Sequence, residues 1–185
     1  MPVHICLLRG VNMAGHNKIK MTDLKEMFRK LGFPDAETFI QTGNIIFTAD
    51  SIYSSVELTL KIESEIRKGF GLEIAALLRS KGDLERILSS NPFVTLNEFN
   101  PARSAVIFLY KELFKKDLEK LAEVDYPPDK FKVIGKEIFI YCPNGFGRTK
   151  LYTNFFENKT GVKGTARNWN TINTLFGLAS QKTIS

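Results

Sequence analysis

The chain has 185 residues, 43% apolar and 25% charged, an ordinary globular composition with length for one sizeable core or two small fused ones. That balance disfavours disorder, and no apolar run approaches the roughly 20 residues of a membrane span. A net charge of +6 admits nucleotide or nucleic-acid contact without requiring it.

Met1 to Cys6 includes His4 and runs into Arg9 too soon for a secretory leader, so the sequence predicts a cytoplasmic protein with no membrane partner. Cys6 and Cys142 stand alone in apolar runs, which excludes a disulfide framework and a zinc pattern and predicts buried, inert thiols. No metal and no cofactor is expected.

Val3 to Leu8 reads as a central strand covered on both sides, because Val3, Ile5 and Leu7 alternate with Cys6 and Leu8. Thr22 is placed to cap a helix carrying Leu24, Met27, Phe28 and Leu31, and Gly32 ends it. Glu37 to Thr42 and Ile45 to Thr48 flank Gly43-Asn44 as a two-residue hairpin turn. A helix from Ser55 to Lys68 is expected to turn Val56, Leu60, Ile62, Ile66 and Phe70 inward, and Glu73 to Arg79 reads as a buried strand. This order of strand, helix, strand, strand, helix, strand is the ferredoxin-like split βαβ arrangement.

The second half nearly repeats it. A short helix from Asp83 to Leu88 has Ser80 and Asp83 at capping-box spacing, and Ser104 to Tyr110 is a strand. Phe114, Leu118 and Leu121 form a helical stripe that Pro127-Pro128 stops. Lys130 to Ile134 and Glu137 to Cys142 bracket Gly135-Lys136 as a second hairpin, a helix follows from Thr149 to Lys159, and the last helix buries Ile172, Leu175, Phe176 and Ala179. The fold class is therefore α+β: two ferredoxin-like halves, residues 1–90 and 91–185, forming one compact unit with a C-terminal helix. Asn91 to Arg103 is the expected connection. Strands such as Ile138 to Tyr141 are apolar on both faces, so the second face must be covered by the other half, the C-terminal segment or a partner.

Positive charge is concentrated in three turns. Residues 9–22 hold Arg9, Lys18 and Lys20 with no acid, and residues 143–185 hold Arg148, Lys150, Lys159, Lys163, Arg167 and Lys182 against Glu157 alone. The first turn, Arg9 to Lys20, leaves a central strand and enters a helix with two glycines on the way, a setting that lets backbone N–H groups approach an anion. Cys142 to Lys150 is again strand, glycine-rich turn, helix, but one residue between Gly145 and Gly147 excludes a Walker motif. Thr165 to Thr171 is placed at the start of the last helix, with Asn168 or Asn170 as its cap, Trp169 in the core and Arg167 at a pole where a cation does not aid the helix. A structural role is the competing account of each turn. His16 is the better acid/base candidate of the two histidines, and no metal spacing, nucleophile elbow or local triad context accompanies it.

Leu7 to Asn12, Lys18 to Met21, Leu31-Gly32-Phe33, Gln41 to Phe47, Asn91-Pro92-Phe93, Gly145 to Leu151 and Thr165 to Thr171 together resemble the bacterial DUF1697 family over nearly the whole chain. Thr42 and Thr149 stand where serine looks common, and Met13-Ala14 replaces a more usual small or glycine-rich pair. The resemblance implies two ferredoxin-like subdomains and carries no activity, cofactor or catalytic residue. Function therefore rests on the charge pattern. It points to a phosphate-bearing ligand, a nucleotide or a nucleic-acid backbone, held by Arg9, Lys18, Lys20, Arg148, Lys150 and Arg167 with Asn12 and Asn168 beside them. An enzyme acting on a small phosphorylated or carboxylated metabolite through His16, and a structural or regulatory interaction protein, are the alternatives; the oligomeric state is open.

Overall fold

A computed structural model describes residues 1–184. Its elements run β1 (Val3–Leu8), α1 (Met21–Lys30), β2 (Glu37–Phe39), β3 (Asn44–Thr48), α2 (Ser55–Phe70), β4 (Ala76–Ser80), α3 (Lys81–Ser90), β5 (Ser104–Leu109), α4 (Lys115–Ala122), β6 (Lys130–Ile134), β7 (Glu137–Tyr141), α5 (Thr153–Thr160), β8 (Gly164–Asn168) and α6 (Trp169–Ile184). The strands form two four-stranded antiparallel sheets, ordered β2-β3-β1-β4 and β6-β7-β5-β8. Each has the split βαβ order, so the fold is α+β with the ferredoxin-like arrangement used twice and a C-terminal helix. The chain divides into a first unit, Met1–Glu85 with the segment from Thr174 onward, and a second, Arg86–Asn173. Set beside the expected halves of 1–90 and 91–185, the division falls inside α3 and gives the end of α6 to the first unit.

In the first unit β1 is central, as its two-sided apolarity requires. Cys6, Leu8, Ile45, Phe47 and Ala76 pack with Leu24, Phe28, Leu58, Ile62 and Ile66 of the two helices. Ile5, Leu7 and Ile46 on the other face are fully buried too. Helix α2 is fixed at its start by a reciprocal capping box, in which the Glu57 N–H donates to Ser54 Oγ and the Ser54 N–H to the Glu57 carboxylate. Its buried stripe is Leu58, Ile62 and Ile66; Val56 and Leu60, expected inward, are 68% and 62% exposed. They sit two residues out of phase with that stripe, roughly 200° around the helix. The end of α6 is tied to this unit by Lys182, whose ammonium reaches Glu37 at 3.1 Å and Asp35 at 3.3 Å.

The turn between β2 and β3 differs from the expected hairpin. Phe39 pairs with Asn44, so four residues, Ile40 to Gly43, make the connection. Asn44 is a buried strand residue whose Nδ2 donates to the Phe39 carbonyl and the Thr42 hydroxyl. Thr22 likewise does not cap α1, which starts at Met21 with Lys20 at the cap position and no side-chain cap bond.

The second unit packs Ile107, Leu109, Ile138, Ile140 and Cys142 against Leu121, Leu151 and Phe156, and buries Val106, Phe108 and Phe139 on the other face. The β6–β7 hairpin turns through Gly135-Lys136 as expected, with Ile134 opposite Glu137. Helix α5 starts four residues later than expected, because Thr149 is buried and its hydroxyl accepts the Leu151 N–H in an irregular segment. Thr165 to Arg167, expected at a helix start, form the middle of β8, the fourth strand of this sheet. The connection from Asn91 folds onto Tyr141: its hydroxyl donates to the Glu98 carbonyl, and Phe93 and Phe99 stack on its ring.

His4 introduces a pH dependence. Its ring stacks on Phe47 at 5.5 Å, its Nε2 is buried without a hydrogen-bond partner among the described residues, and burial pushes its pKa below the ordinary 6.5. Folding therefore favours the neutral ring. The stability this provides is complete above pH 6.5 and is lost as pH falls through that value toward the lower folded pKa, where the unfolded chain binds the extra proton. Urea unfolding from pH 7.5 down to about 5 is expected to show this loss, and His4→Phe to flatten it; equal slopes in both proteins would assign the acid sensitivity elsewhere.

Candidate functional site

The β1–α1 loop is built from left-handed backbone. Gly10, Asn12, Ala14, Gly15 and Asn17 have φ of 68°, 55°, 47°, 83° and 49°. Asparagine tolerates this conformation through local hydrogen bonds, whereas Ala14 has no such compensation of its own. Asn12 is the clamp: its Nδ2 donates to the Ile19 carbonyl at 2.9 Å and the Gln41 carbonyl at 2.8 Å, and its Oδ1 accepts the Ile19 N–H at 2.9 Å. Asn17 closes the loop, accepting the Asn12 N–H on its carbonyl at 3.1 Å and donating its amide to Gly10 at 3.2 Å. The Asn12 amide, expected beside a ligand, is thus taken up in holding the loop to the β2–β3 turn.

That clamp shapes an open cleft of about 580 Å³ lined by Asn12, Gly15, Lys18, Ile19, Lys20, Asp23, Gln41 and Phe70. Lys18 and Lys20 are exposed, and among the described residues neither is ion-paired. Asp23, in the first turn of α1, is the one acid of the lining and accepts from the Thr22 hydroxyl at 3.3 Å. Because α1 begins at the cleft without a side-chain cap, the positive end of its dipole adds to the two ammonium groups. Arg9 follows β1 with its N–H on the Ala75 carbonyl at 3.0 Å and is not part of the lining; neither is His16, which is exposed and pairs through its backbone with Met13.

The other expected cations lie in the second unit. Arg148 and Lys150 line a cleft of about 280 Å³ with Asp125, Tyr126, Pro127, Pro128, Asp129, Asn144 and Gly145. Lys150 Nζ stands 5.5 Å from the centre of the Tyr126 ring. Gly145, at φ 85°, is pressed by the Arg103 guanidinium, which occupies the place of a Cβ. The adjoining Cys142 thiol is buried, as expected, and burial first pushes its pKa up, with the neighbouring Thr149 and Asp129 as smaller influences.

Arg167 is only 7% exposed, and its Nη1 donates to the Thr165 hydroxyl at 2.9 Å and the Ala166 carbonyl at 2.7 Å. It is a buried strand residue and not a helix-end cation, because β8 carries its side chain inward. Asn168 accepts the Thr171 N–H at 2.7 Å and caps α6, one of the two caps the sequence offered. The two glycine-rich turns occupy non-equivalent places: one follows β1, the first strand of its unit's split βαβ order, and the other follows β7, the third strand of the other unit's. Sequence reasoning missed Gln41, Phe70 and the Asp125 to Asp129 wall. Phe70 read as core, and the tandem prolines read only as a helix stop.

Among the described residues no group of three or more His, Cys, Asp or Glu side chains is placed to hold a metal, and no helix is long and apolar enough to cross a membrane. Comparison with curated proteins gives no match. A conserved bacterial protein from Streptococcus pneumoniae has a similar structure, with a TM-score of 0.74 at 23% identity, covering 96% of this chain and 98% of its own; the likeness establishes the fold. The family model described as a protein of unknown function, DUF1697, matches residues 1–139. The chain belongs to that family.

Proposed function

We propose that the protein binds a phosphate-bearing ligand of nucleotide size in the cleft before α1. The observation that carries this reading is the pair Lys18 and Lys20, without an ion pair among the described residues and held by a clamped loop at an uncapped helix start. An anion there gains from both ammonium groups and from the helix dipole. Ile19 and Phe70 give the cleft an apolar side against which a base can pack, and Gln41 supplies an exposed amide. The volume falls in the range of small-ligand sites.

Calorimetric titration with ATP, AMP and pyrophosphate tests the proposal. Binding is expected to weaken as salt is raised, because the cations are exposed. The double variant Lys18→Ala, Lys20→Ala is expected to lose at least about tenfold in affinity, about 1.4 kcal/mol. Unchanged affinity in that variant, or no heat from any of the three ligands at about 1 mM, a concentration matching about 4 kcal/mol of binding energy, overturns it.

A further inference from the structure

The cleft of the second unit has a different electrostatic design. One wall is the α4–β6 connection, where Asp125 and Asp129 flank Tyr126, Pro127 and Pro128. The other is the β7–α5 connection, which brings Asn144, Gly145, Arg148 and Lys150 and has no acid between Pro143 and Lys150. The two walls thus carry opposite charge. Among the described residues none of these four charged side chains is ion-paired across the gap, although they line one hollow of about 280 Å³. The half-buried Tyr126 ring forms part of the lining, packed edge-on by Phe155 and approached by Lys150.

We infer that this cleft is a binding site for a small zwitterion, an α-amino acid with free ammonium and carboxylate groups. The ammonium meets Asp125 and Asp129, which are acceptor-only groups; the carboxylate meets the planar fork of Arg148, with Lys150 and the Asn144 amide beside it. A ligand of one sign gains from one wall and is repelled by the other, so selection comes from repulsion as much as attraction. The volume, at the small end of ligand sites, suits a single metabolite rather than a polymer. Gly145, at φ 85°, forms part of the floor with the Arg103 guanidinium behind it. This site is separate from the anion cleft of the first unit, whose lining has two cations and one acid.

The test is a titration of the ¹⁵N-labelled full chain with each proteinogenic L-amino acid, read from amide resonances. At least one is expected to move Tyr126, Gly145 and Arg148 with a Kd below about 10 mM. Its N-acetyl and α-amide forms, each retaining one charge, are expected to bind at least about tenfold more weakly, about 1.4 kcal/mol. Arg148→Glu and Asp125→Lys are each expected to lose at least tenfold; both positions are exposed, so folding is retained and is checked by unchanged resonances elsewhere. The proposal is overturned if no amino acid moves these resonances at about 10 mM, if a blocked form binds equally well, or if either charge reversal leaves affinity unchanged. The Lys18→Ala, Lys20→Ala variant is expected to bind the amino acid normally, so either cleft can fail without the other.

Discussion

Phe47→Ala is expected to destabilise the protein by about 3–5 kcal/mol, the largest loss for any single truncation of the first core. Phe47 has no exposed surface and sits on β3 between the rings of Phe28 at 5.3 Å, Phe33 at 4.6 Å and His4 at 5.5 Å. Removing it deletes the ring contact with Phe28, one of those that join α1 to the sheet, and three rings cannot relax into the void without leaving their rotamers. The loss should appear as a lower urea midpoint with an unchanged slope. A cost below about 1 kcal/mol would mean that the cluster collapses onto the gap and is packed less tightly than its ring distances indicate.

Gly43→Ala is expected to cost about 2–5 kcal/mol, the sum of left-handed backbone strain and overpacking. Gly43 has φ 73°, and a Cβ on it would lie 2.8 Å from Leu8 Cβ and 3.2 Å from Val11 Cβ, while its carbonyl accepts the Leu8 N–H at 2.8 Å. Neither neighbour is the mobile end of a side chain; both are buried Cβ atoms fixed to the backbone. The substitution therefore pushes the β2–β3 turn away from the β1–α1 loop. Since the Gln41 carbonyl in that turn receives the Asn12 amide, the same variant should also weaken phosphate binding in the first cleft. Full stability with intact binding would show that the turn shifts freely and does not shape the cleft.

Much of the frame was legible because its signals are local. The two-sided apolarity of Val3 to Leu8 placed β1 at the centre, Gly135-Lys136 set the second hairpin, and Ser80 with Asp83 formed the reciprocal cap at α3, each N–H donating to the other's side chain. The misplacements have tertiary causes. At the first hairpin Gly43-Asn44 looked like a turn pair, but burial draws Asn44 into β3 and leaves Ile40 at φ 50°, a conformation that no propensity assigns to a β-branched residue. On α2 two apolar stripes compete in the sequence, and only packing against the sheet selects Leu58, Ile62 and Ile66.

The candidate site was legible in kind and not in place. Lys18 and Lys20 meet at a cleft, as do Arg148 and Lys150, because each pair lies within one loop. The position of Arg167 differs from the expected helix start, since it depends on β8, a strand whose small and polar residues have no hydrophobic alternation. The acids facing Arg148 and Lys150 come from a segment about twenty residues earlier in the chain, a proximity that only the β6–β7 hairpin creates.

The Asn12 clamp divides labour within its loop. Shape is dictated by amide-to-carbonyl bonds that ignore which side chains project from positions 18 and 20. Those two positions are thus interchangeable fittings on a fixed bracket: swapping them would retune what the bracket accepts, with its architecture intact.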